Sequence, residues 1–339
     1  MPLNTFATVS TFAGENNDVQ AKDTKGYPLY ISSYLRKYRL YASLYECYHS
    51  WMKSHHCNAA TAQDGKEWHS RTEICSESAV RRTAAMLDID SDAFVKGTPL
   101  PRGWQFILMG ADTRRSLLRA DGFPGLGVTM PDFGLPRLLL GGRTVSYLKD
   151  IPIGGSVLRS SCIQSLTRKT VESGPMAVAE IRHELRLDGD TSPALIETQT
   201  YLLLPALKGS SSNTVSSQQA DLSGYRVTTV VPDETLLFQY SALGFNSHKI
   251  HIDRSHARHV EGFPDLVVNG GLVTLLLTEF LRREIGVQLS SIKVRHITPL
   301  FCGRPITIVA NQEDAKWRLR AYDHRSTLAV DMEVGTHEL

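Results

Sequence analysis

The sequence predicts an α+β fold built from two antiparallel units. In both halves of the chain, apolar and polar residues alternate over short segments, a period typical of strands with one buried face. One strongly apolar segment, residues 269–285, repeats its apolar residues at helical spacing instead. Between the halves, residues 208–224 are rich in serine and have the composition of a linker. These observations predict two antiparallel sheets, joined by a linker, with a buried helix in the second unit.

The length of 339 residues is sufficient for two domains, each with its own core. We expect an N-terminal extension at residues 1–70 and a first unit at residues 71–207. After the linker, a second unit is expected at residues 225–339. The second unit contains the residue types that move protons, so it is predicted to be the catalytic one.

Strands are expected wherever the alternation holds. In the first unit these segments are residues 143–149, 156–167, 177–186 and 195–204. In the second unit they are residues 235–240, 292–296, 305–310, 317–321 and 328–334. Residues 100–106 indicate the entry into a further strand, and residues 76–87 have a helical pattern with Ser76 as a cap.

The segment 177–187 predicts a strand that is buried on one face only. His183 falls on its apolar side, together with Ile181 and Leu185. We therefore expect His183 to be a core histidine rather than a catalyst.

Composition excludes several classes of function. The net charge is +2 and no long run of Lys or Arg occurs, which argues against a dedicated nucleic-acid binder. No apolar run approaches the roughly 20 residues needed to span a bilayer, so no membrane association is expected. The five cysteines are scattered without a C-x-x-C pair, a pattern that favours reduced thiols in an intracellular compartment.

The N-terminal region leaves the compartment open. Residues 27–45 are rich in Tyr, Ser and Arg and lack acids, which fits a surface extension or a transit segment. The protein is thus expected in mitochondria or in the cytoplasm.

A group of possible metal ligands also lies in the N-terminal region. His49, His55, His56 and Cys57 are close together, but their spacing matches no common zinc pattern. We predict no metal and no other cofactor.

One polar loop concentrates the groups able to move protons. Asn246, His248, His251 and Asp253 follow one another within eight residues. A neutral imidazole can take a proton from water near pH 7 and return it, so His251 is the first candidate for catalysis. Asp253 has two open interpretations, a second acid–base group or a cap for the segment that follows it.

The start of the apolar helix is the second candidate site. Asn269 is a plausible N-cap, Gly270 and Gly271 open the helix, and Gly286 is a plausible stop. The free amides of a helix N-terminus suit a developing oxyanion. An imidazole loop beside such a helix is the outline of an acid–base site for a carbonyl compound.

These two blocks resemble the MaoC-like hotdog hydratases and dehydratases, which act on acyl thioesters. The similarity is greatest to the double-hotdog branch with itaconyl-CoA and mesaconyl-CoA hydratases and mitochondrial 3-hydroxyacyl-thioester dehydratases. That branch has the motif Phe-Asn-x-His-x-Ile-His-x-Asp, which is intact from Phe245 to Asp253. Its later motif is matched at Glu261, Gly262, Pro264, Leu266, Val267, Val268, Gly270 and Leu272. In the first unit the matching residues include Asp121-Gly122, Gly141-Gly142-Arg143 and Arg182-His183-Glu184.

The resemblance implies a double hotdog, in which each antiparallel sheet wraps a central helix. It implies an (R)-specific hydro-lyase for an enoyl or 3-hydroxyacyl thioester of CoA or an acyl carrier, with branched dicarboxylyl-CoA as one candidate. His251 would belong to the catalytic group with Asn246, His248 and Asp253. Gly270 would hold the thioester oxygen, and Phe245, Asn269, Gly271 and Arg143 would contact substrate, although Arg143 could instead serve only loop solubility. A homodimer is left open.

Three positions depart from the family pattern. Gly244 stands where many relatives have an Asp and this branch a Thr, so a second acid–base group must come from elsewhere. Asn269 replaces a His and Gly271 replaces a Pro at the helix start. These changes leave two alternatives open: an enzyme of specialised metabolism acting on a compound without CoA, and a non-catalytic acyl-binding subunit.

Overall fold

The computed structural model describes residues 66–171, 174–206, 225–313 and 316–336. The predictions for the N-terminal extension up to residue 65, including the His/Cys group, and for the linker lie outside these residues. Among the described residues, no helix is long and apolar enough to cross a membrane.

The ten strands within the described ranges form one antiparallel sheet in the order β1-β3-β4-β5-β2-β7-β10-β9-β8-β6. The strands of the first unit are β1 (His69–Ile74), β2 (Arg137–Tyr147), β3 (Ser156–Val171), β4 (Gly174–Leu187) and β5 (Leu195–Leu204). Those of the second are β6 (Arg226–Val230), β7 (Leu289–His296), β8 (Ile306–Glu313), β9 (Lys316–Tyr322) and β10 (Leu328–Thr336). The pairing of β2 with β7 joins the two units at the middle of the sheet.

In the part of the chain that the structure describes, four α-helices accompany the sheet: α1 (Glu77–Met86), α2 (Glu234–Leu243), α3 (Lys249–Ile252) and α4 (Gly270–Phe280). Shorter turns are the 3₁₀ helices Trp104–Leu108 and Arg115–Leu117 and the π turns His256–Val260 and Leu281–Ile285. The predicted α+β fold is confirmed, with strands in both units and the expected helix in the second.

The helix and the strands predicted in the first unit are confirmed apart from one segment. Ser76 caps α1, since its Oγ accepts a hydrogen bond of 3.1 Å from the amide of Ala79. On β4, His183 is buried with Ile181 and Leu185, as the alternation predicts. The strand predicted over residues 100–106 is wrong, because the chain turns at Gly103 and continues as a 3₁₀ helix with Trp104 buried.

The strand predicted over residues 235–240 is also wrong, since this segment lies within α2. The side chain of Asp233 accepts a hydrogen bond of 2.8 Å from the amide of Leu236, which makes Asp233 the N-cap. Leu237 and Tyr240 then lie three residues apart on the buried face of the helix. A cap of this kind favours a helix, which the alternation alone did not reveal.

Helix α4 is buried around most of its circumference, as its apolar sequence predicts. It is followed by one π turn and ends at Gly286, which has a φ of +77° and is therefore suited to a helix stop. Asn269 occupies the N-cap position, but its side chain makes no capping hydrogen bond. The predicted helix is thus confirmed with Asn269 at its N-cap position, although the side chain of Asn269 bonds to Ser241 instead of to an amide of the helix.

A buried carboxylate ties the end of α4 to the first unit. Glu279 accepts a hydrogen bond of 2.7 Å from the indole Nε1 of Trp104 and two from the guanidinium of Arg282. The guanidinium of Arg282 also lies 5.9 Å from the centre of the Trp104 ring. This contact fixes the axis of α4 relative to the first unit, and the start of α4 is the candidate site.

We predict that Glu279→Ala lowers the free energy of unfolding by roughly 2 kcal/mol, since it leaves a buried indole N–H without an acceptor. Urea denaturation followed by fluorescence measures the change. The matched control is Glu284→Ala, which removes an exposed carboxylate near the end of the same helix and should change stability by less than about 0.5 kcal/mol. Equal effects of the two substitutions would contradict the prediction.

Candidate active site

A cavity of about 210 Å³ lies where the two units meet. Its walls come from β2 and β5 of the first unit, and from the polar loop, the start of α4 and the end of β7 in the second. The residues of the two predicted blocks therefore face a common space. Of the predicted site residues, those on the cavity are Arg143, Asn246, His248, His251, Asn269, Gly270 and Gly271.

His251 is held in one tautomer. Its Nδ1 donates a hydrogen bond of 2.7 Å to the carbonyl oxygen of Val267, so its Nε2 is left as an acceptor. The side chain is only 8% exposed, and this burial lowers its pKa to about 4. A neutral imidazole with one unprotonated nitrogen is the state that a general base requires.

His248 stands beside His251, with the two rings edge to face and their centres 5.4 Å apart. Burial, and after it the neighbouring His251, lowers the pKa of His248 to about 3. Its Nε2 lies 3.7 Å from a carboxylate oxygen of Asp121, which belongs to the first unit. Although burial acts in the opposite direction, hydrogen bonds from Arg119 and the amide of Phe123 lower the pKa of Asp121.

Asp121 was not predicted as a site residue. The Asp121-Gly122 pair appears in the sequence only as part of a family motif, and nothing local links it to the histidine loop. The backbone makes this link: the amide of Lys249 donates a hydrogen bond of 2.8 Å to the carbonyl of Asp121. A charged group from the first unit is thereby placed next to the loop of the second.

The structure separates the other members of the polar loop. Asn246 lines the cavity, and its Oδ1 accepts a hydrogen bond of 3.1 Å from the amide of His248, which fixes the turn. The carboxylate of Asp253 accepts one of 2.9 Å from the amide of His256, so Asp253 caps the next turn. Phe245 is 64% exposed with a φ of +48°. Neither Asp253 nor Phe245 lines the cavity, so the geometry does not bring these two predicted residues to the site.

The start of α4 presents backbone amides to the cavity. The first helical hydrogen bond runs from the amide of Val273 to the carbonyl of Asn269. The amides of Gly270 and Gly271 therefore have no acceptor within the helix. Together with the positive end of the helix dipole, they form a site for an oxygen that gains negative charge.

The two departures at the helix start are matched by neighbouring residues on α2. A Cβ added to Gly271 would overlap the hydroxyl of Tyr240, so the Pro of the family pattern has no room here. Asn269 is 2% exposed, and its Nδ2 donates a hydrogen bond of 3.3 Å to the Oγ of Ser241. Gly271 and Asn269 are thus each explained by one residue of α2.

His296 is a third cavity histidine, which sequence reasoning missed. It lies at the end of β7, and a Cβ added to Gly270 would be 3.3 Å from its Nε2. That nitrogen is shielded from solvent and has no hydrogen-bond partner among the described residues. Burial, and then the charge of Arg143, lowers the pKa of His296 to about 3. In the sequence, His296 is one polar residue of an alternating strand, so no local signal identifies it.

Arg143 is the only charged side chain on this cavity among the described residues. Its Nη1 donates a hydrogen bond of 3.1 Å to the fully buried carboxylate of Glu197. Although burial opposes the charged form, Glu197 raises the pKa of Arg143, so the guanidinium stays charged. The Nε of Arg143 is buried without a partner. Loop solubility is therefore the wrong interpretation of Arg143, which is a buried residue of the cavity wall.

We predict that Gly271→Ala destabilises the protein. Replacing a helical Gly by Ala normally gains up to about 1 kcal/mol, but here the added methyl group overlaps the Tyr240 hydroxyl. In a Tyr240→Phe background the hydroxyl is gone, so the same substitution should cost less. Chemical denaturation of the four proteins gives the coupling energy. A Gly271→Ala effect of equal size in both backgrounds would exclude the overlap as its cause.

We also predict that stability falls as the pH drops below about 6.5. The folded-state pKa is lowered to about 4 for His183 and His251 and to about 3 for His248 and His296, mainly by burial. Between about pH 6.5 and pH 4 the unfolded chain binds more protons than the folded one, so the free energy of unfolding rises with pH. Each such histidine contributes up to about 1.4 kcal/mol per pH unit in this window.

Urea midpoints measured at pH 7.5, 6.0 and 5.0 test the pH dependence. His183→Asn removes one of the four groups and should make the slope shallower. A midpoint that stays constant from pH 7.5 to pH 5.0 would show that these histidines are not held neutral by burial.

Comparisons with known proteins identify the family of this chain. Residues 103–302 match the model of the family described as hydroxyacyl-thioester dehydratase type 2. The mesaconyl-C(4)-CoA hydratase of Chloroflexus aurantiacus is 30% identical over 287 residues, which cover 81% of this chain and 99% of that protein. A mitochondrial hydroxyacyl-thioester dehydratase type 2 of Schizosaccharomyces pombe is 25% identical over 41% of this chain and 44% of its own length.

Solved structures support the fold. A MaoC-like dehydratase from Phytophthora capsici has a TM-score of 0.59 at 18% identity, covering 81% of this chain and 96% of its own. A Mycobacterium tuberculosis protein with a double hotdog fold has a TM-score of 0.53 at 12% identity, covering 81% and 97%. The double hotdog predicted from the sequence motifs is confirmed. The chain belongs to the hydroxyacyl-thioester dehydratase type 2 family and is a hydro-lyase, which adds water to acyl thioesters or removes it.

Proposed function

We propose that the cavity between the two units hydrates the double bond of a 2-enoyl-CoA and catalyses the reverse dehydration. The observation that carries this proposal is the tautomer of His251. Because its Nδ1 donates a hydrogen bond to the carbonyl of Val267, its Nε2 keeps a free electron pair. With that electron pair His251 can accept a proton from a reactant in the cavity. Such a base would take a proton from the water molecule that adds to the double bond.

In the proposed hydration, His251 Nε2 takes a proton from a water molecule as the water oxygen attacks Cβ. The electron pair of the double bond moves toward the thioester, and negative charge builds on the thioester oxygen. The protonated His251 then returns its proton to Cα, so that the substrate gains one water in total. Asn246 and His248 are proposed to hold the water, and the Asp121 carboxylate orients His248 at 3.7 Å.

The thioester oxygen is proposed to bind at the start of α4. The amide of Gly270 donates to it, and the Nε2–H tautomer of His296 is a second donor beside Gly270. A lowered pKa favours this role, because a neutral imidazole can stabilise an oxyanion without transferring a proton to it. His296 thus supplies a polar side chain that Gly244 lacks. It acts as a donor to the thioester oxygen and not as an acid or base toward Cα and Cβ.

We further propose that the acyl group carries a second carboxylate. The name of the Chloroflexus relative gives a dicarboxylyl thioester as the substrate of that protein. In this chain, Arg143 puts a buried positive charge on the cavity wall, and no described Asp or Glu lines that wall. Asn269 and Gly271, with their partners on α2, shape the space for the acyl group.

The decay of enoyl absorbance with crotonyl-, mesaconyl- and itaconyl-CoA tests the reaction. Turnover of at least one of these thioesters is expected, with a preference for a dicarboxylyl substrate over crotonyl-CoA. The absence of turnover with all three would count against the proposed reaction.

We predict that His251→Ala lowers kcat/KM by roughly 10²–10⁴, the usual contribution of a general acid–base group. The fold should survive, and circular dichroism would check this. The control His259→Ala removes an exposed histidine eight residues further along the chain and should leave kcat/KM unchanged. Full activity of the His251→Ala protein would remove His251 from the mechanism.

A further inference from the structure

The cavity has a second chamber of about 120 Å³ that the proposed reaction does not use. Both spaces are bordered by Arg143, Tyr201 and Tyr240, so the chamber extends the cavity into the first unit. It lies against the inner face of β3, β4 and β5, where Arg159, His183 and Gln199 form part of its wall.

A buried row of polar side chains crosses this face of the sheet within the first unit. In the strand register, Ser161 pairs with His183, His183 with Glu197, and Gln199 with Arg143. The row therefore runs over four neighbouring strands in a place where an antiparallel unit would normally bury apolar side chains. Burying polar groups lowers stability unless each finds a partner. A row of this kind needs a reason other than packing.

Most polar atoms of the row are satisfied within the protein, and the exceptions face the chamber. The carboxylate of Glu197 accepts hydrogen bonds from Arg143, Gln105 and Gln199, which leaves it no role toward a ligand. His183 binds Ser161 Oγ through Nδ1 at 2.8 Å, whereas its Nε2 is buried near the Gln199 side chain and makes no hydrogen bond of normal length to any described residue. His183 itself is 3% exposed, so bulk water does not supply that partner.

Arg159 supplies a second donor to the chamber. Its Nη1 donates to the carbonyl of Gly110 at 2.9 Å, and its Nη2 would be 3.3 Å from a Cβ added to Gly127 on the chamber wall. The nearest carboxylate, that of Glu73, is 3.8 Å from Nη1 and is shared with Arg71 at 2.5 Å. The charge of Arg159 is therefore only partly compensated.

The charges on the walls have one sign. Arg143 and Arg159 line the chamber, and among the described residues no Asp or Glu lines either the chamber or the main cavity. An anionic group is the ligand that such walls stabilise, because guanidinium groups bind carboxylates through charge and directed hydrogen bonds.

We propose that the second chamber binds a carboxylate at the far end of the acyl group, held by Arg159 and His183. This inference rests on the proposed function and specifies its substrate class as thioesters with a carboxylate remote from the double bond. A carboxylate attached to Cβ must stay in the main cavity near Arg143. His183 on β4 lies two strand spacings, roughly 10 Å, from Arg143 on β2, so only a longer acyl chain reaches it.

A pair of substrates isolates this contact. Trans-2-hexenedioyl-CoA and trans-2-hexenoyl-CoA have the same length and double bond, and they differ only in a terminal carboxylate or methyl group. For the unaltered protein, kcat/KM is expected to be higher for hexenedioyl-CoA. In Arg159→Met it should fall roughly 10- to 100-fold for hexenedioyl-CoA, mainly through KM, as loss of a charged hydrogen bond implies, and less than about twofold for hexenoyl-CoA.

Three further variants separate recognition from folding. Arg159→Lys keeps the charge and should retain part of the preference. His183→Asn keeps a polar atom beside Ser161 and removes Nε2, so it should reduce the preference independently of Arg159. Arg168→Met, the control, removes an exposed Arg on the same strand as Arg159 and should leave the ratio of the two kcat/KM values unchanged.

The proposal is overturned if the unaltered protein does not prefer hexenedioyl-CoA, or if Arg159→Met lowers kcat/KM equally for the two substrates. Turnover of mesaconyl-CoA without a hexenedioyl preference would overturn it and leave the proposed hydration intact. If no thioester is turned over, the proposed hydration fails. Calorimetry then tests the carboxylate site by measuring how tightly hexenedioyl-CoA and hexenoyl-CoA bind to the unaltered protein and to Arg159→Met. If both proteins bind hexenedioyl-CoA with equal affinity, the carboxylate site is excluded. Weaker binding of hexenedioyl-CoA by Arg159→Met, with unchanged binding of hexenoyl-CoA, supports the site.

Discussion

The pairing of β2 with β7 is the constraint on which the active site depends. It is the point where the two units become one sheet, with Arg143 opposite Val294 and Gly142 opposite Arg295. Because of this register, Arg143 comes next to His296, whose pKa it helps to lower. A slip of one residue in either strand would turn that strand's side chain to the other face of the sheet and would separate Arg143 from His296.

Burial sets the chemistry of the histidines once the fold has placed them. His248, His251 and His296 are all largely removed from bulk water, and this burial lowers the pKa of each imidazole far below its ordinary value, so the rings are neutral. Hydrogen bonding then gives the rings different roles: His251 is locked by a backbone carbonyl, whereas the Nε2 of His296 is unpartnered. The same residue type can therefore supply a base and a hydrogen-bond donor within one cavity, because the surrounding protein decides the tautomer.

The sequence predicts the local features of this protein better than its non-local ones. Helix α4 and the loop with His251 follow from residues that are close together in the chain. Asp121 and His296 were missed because only tertiary contacts place them: the backbone bond with Lys249 brings Asp121 next to His248, and the β2–β7 pairing brings His296 to the cavity. The helical segment 235–240 was mistaken for a strand because its few apolar residues fit both periods, and the cap at Asp233 is what decides between them.

The two units divide stability and recognition between them. In the second unit, the inner side of the sheet packs on the apolar α4, and burial of such surface is the main stabilising term in folding. In the first unit, the inner face packs partly against α1 and partly in an apolar cluster that includes Ala179 and Ile181, and it also holds the polar row around His183 and Glu197. That row contributes less to stability than apolar packing would, and the first unit is also held to α4 by the Trp104–Glu279 hydrogen bond and by a core cluster that the two units share. The joint between the units therefore serves both purposes: it stabilises the polar chamber, and it places the chamber beside the reacting groups.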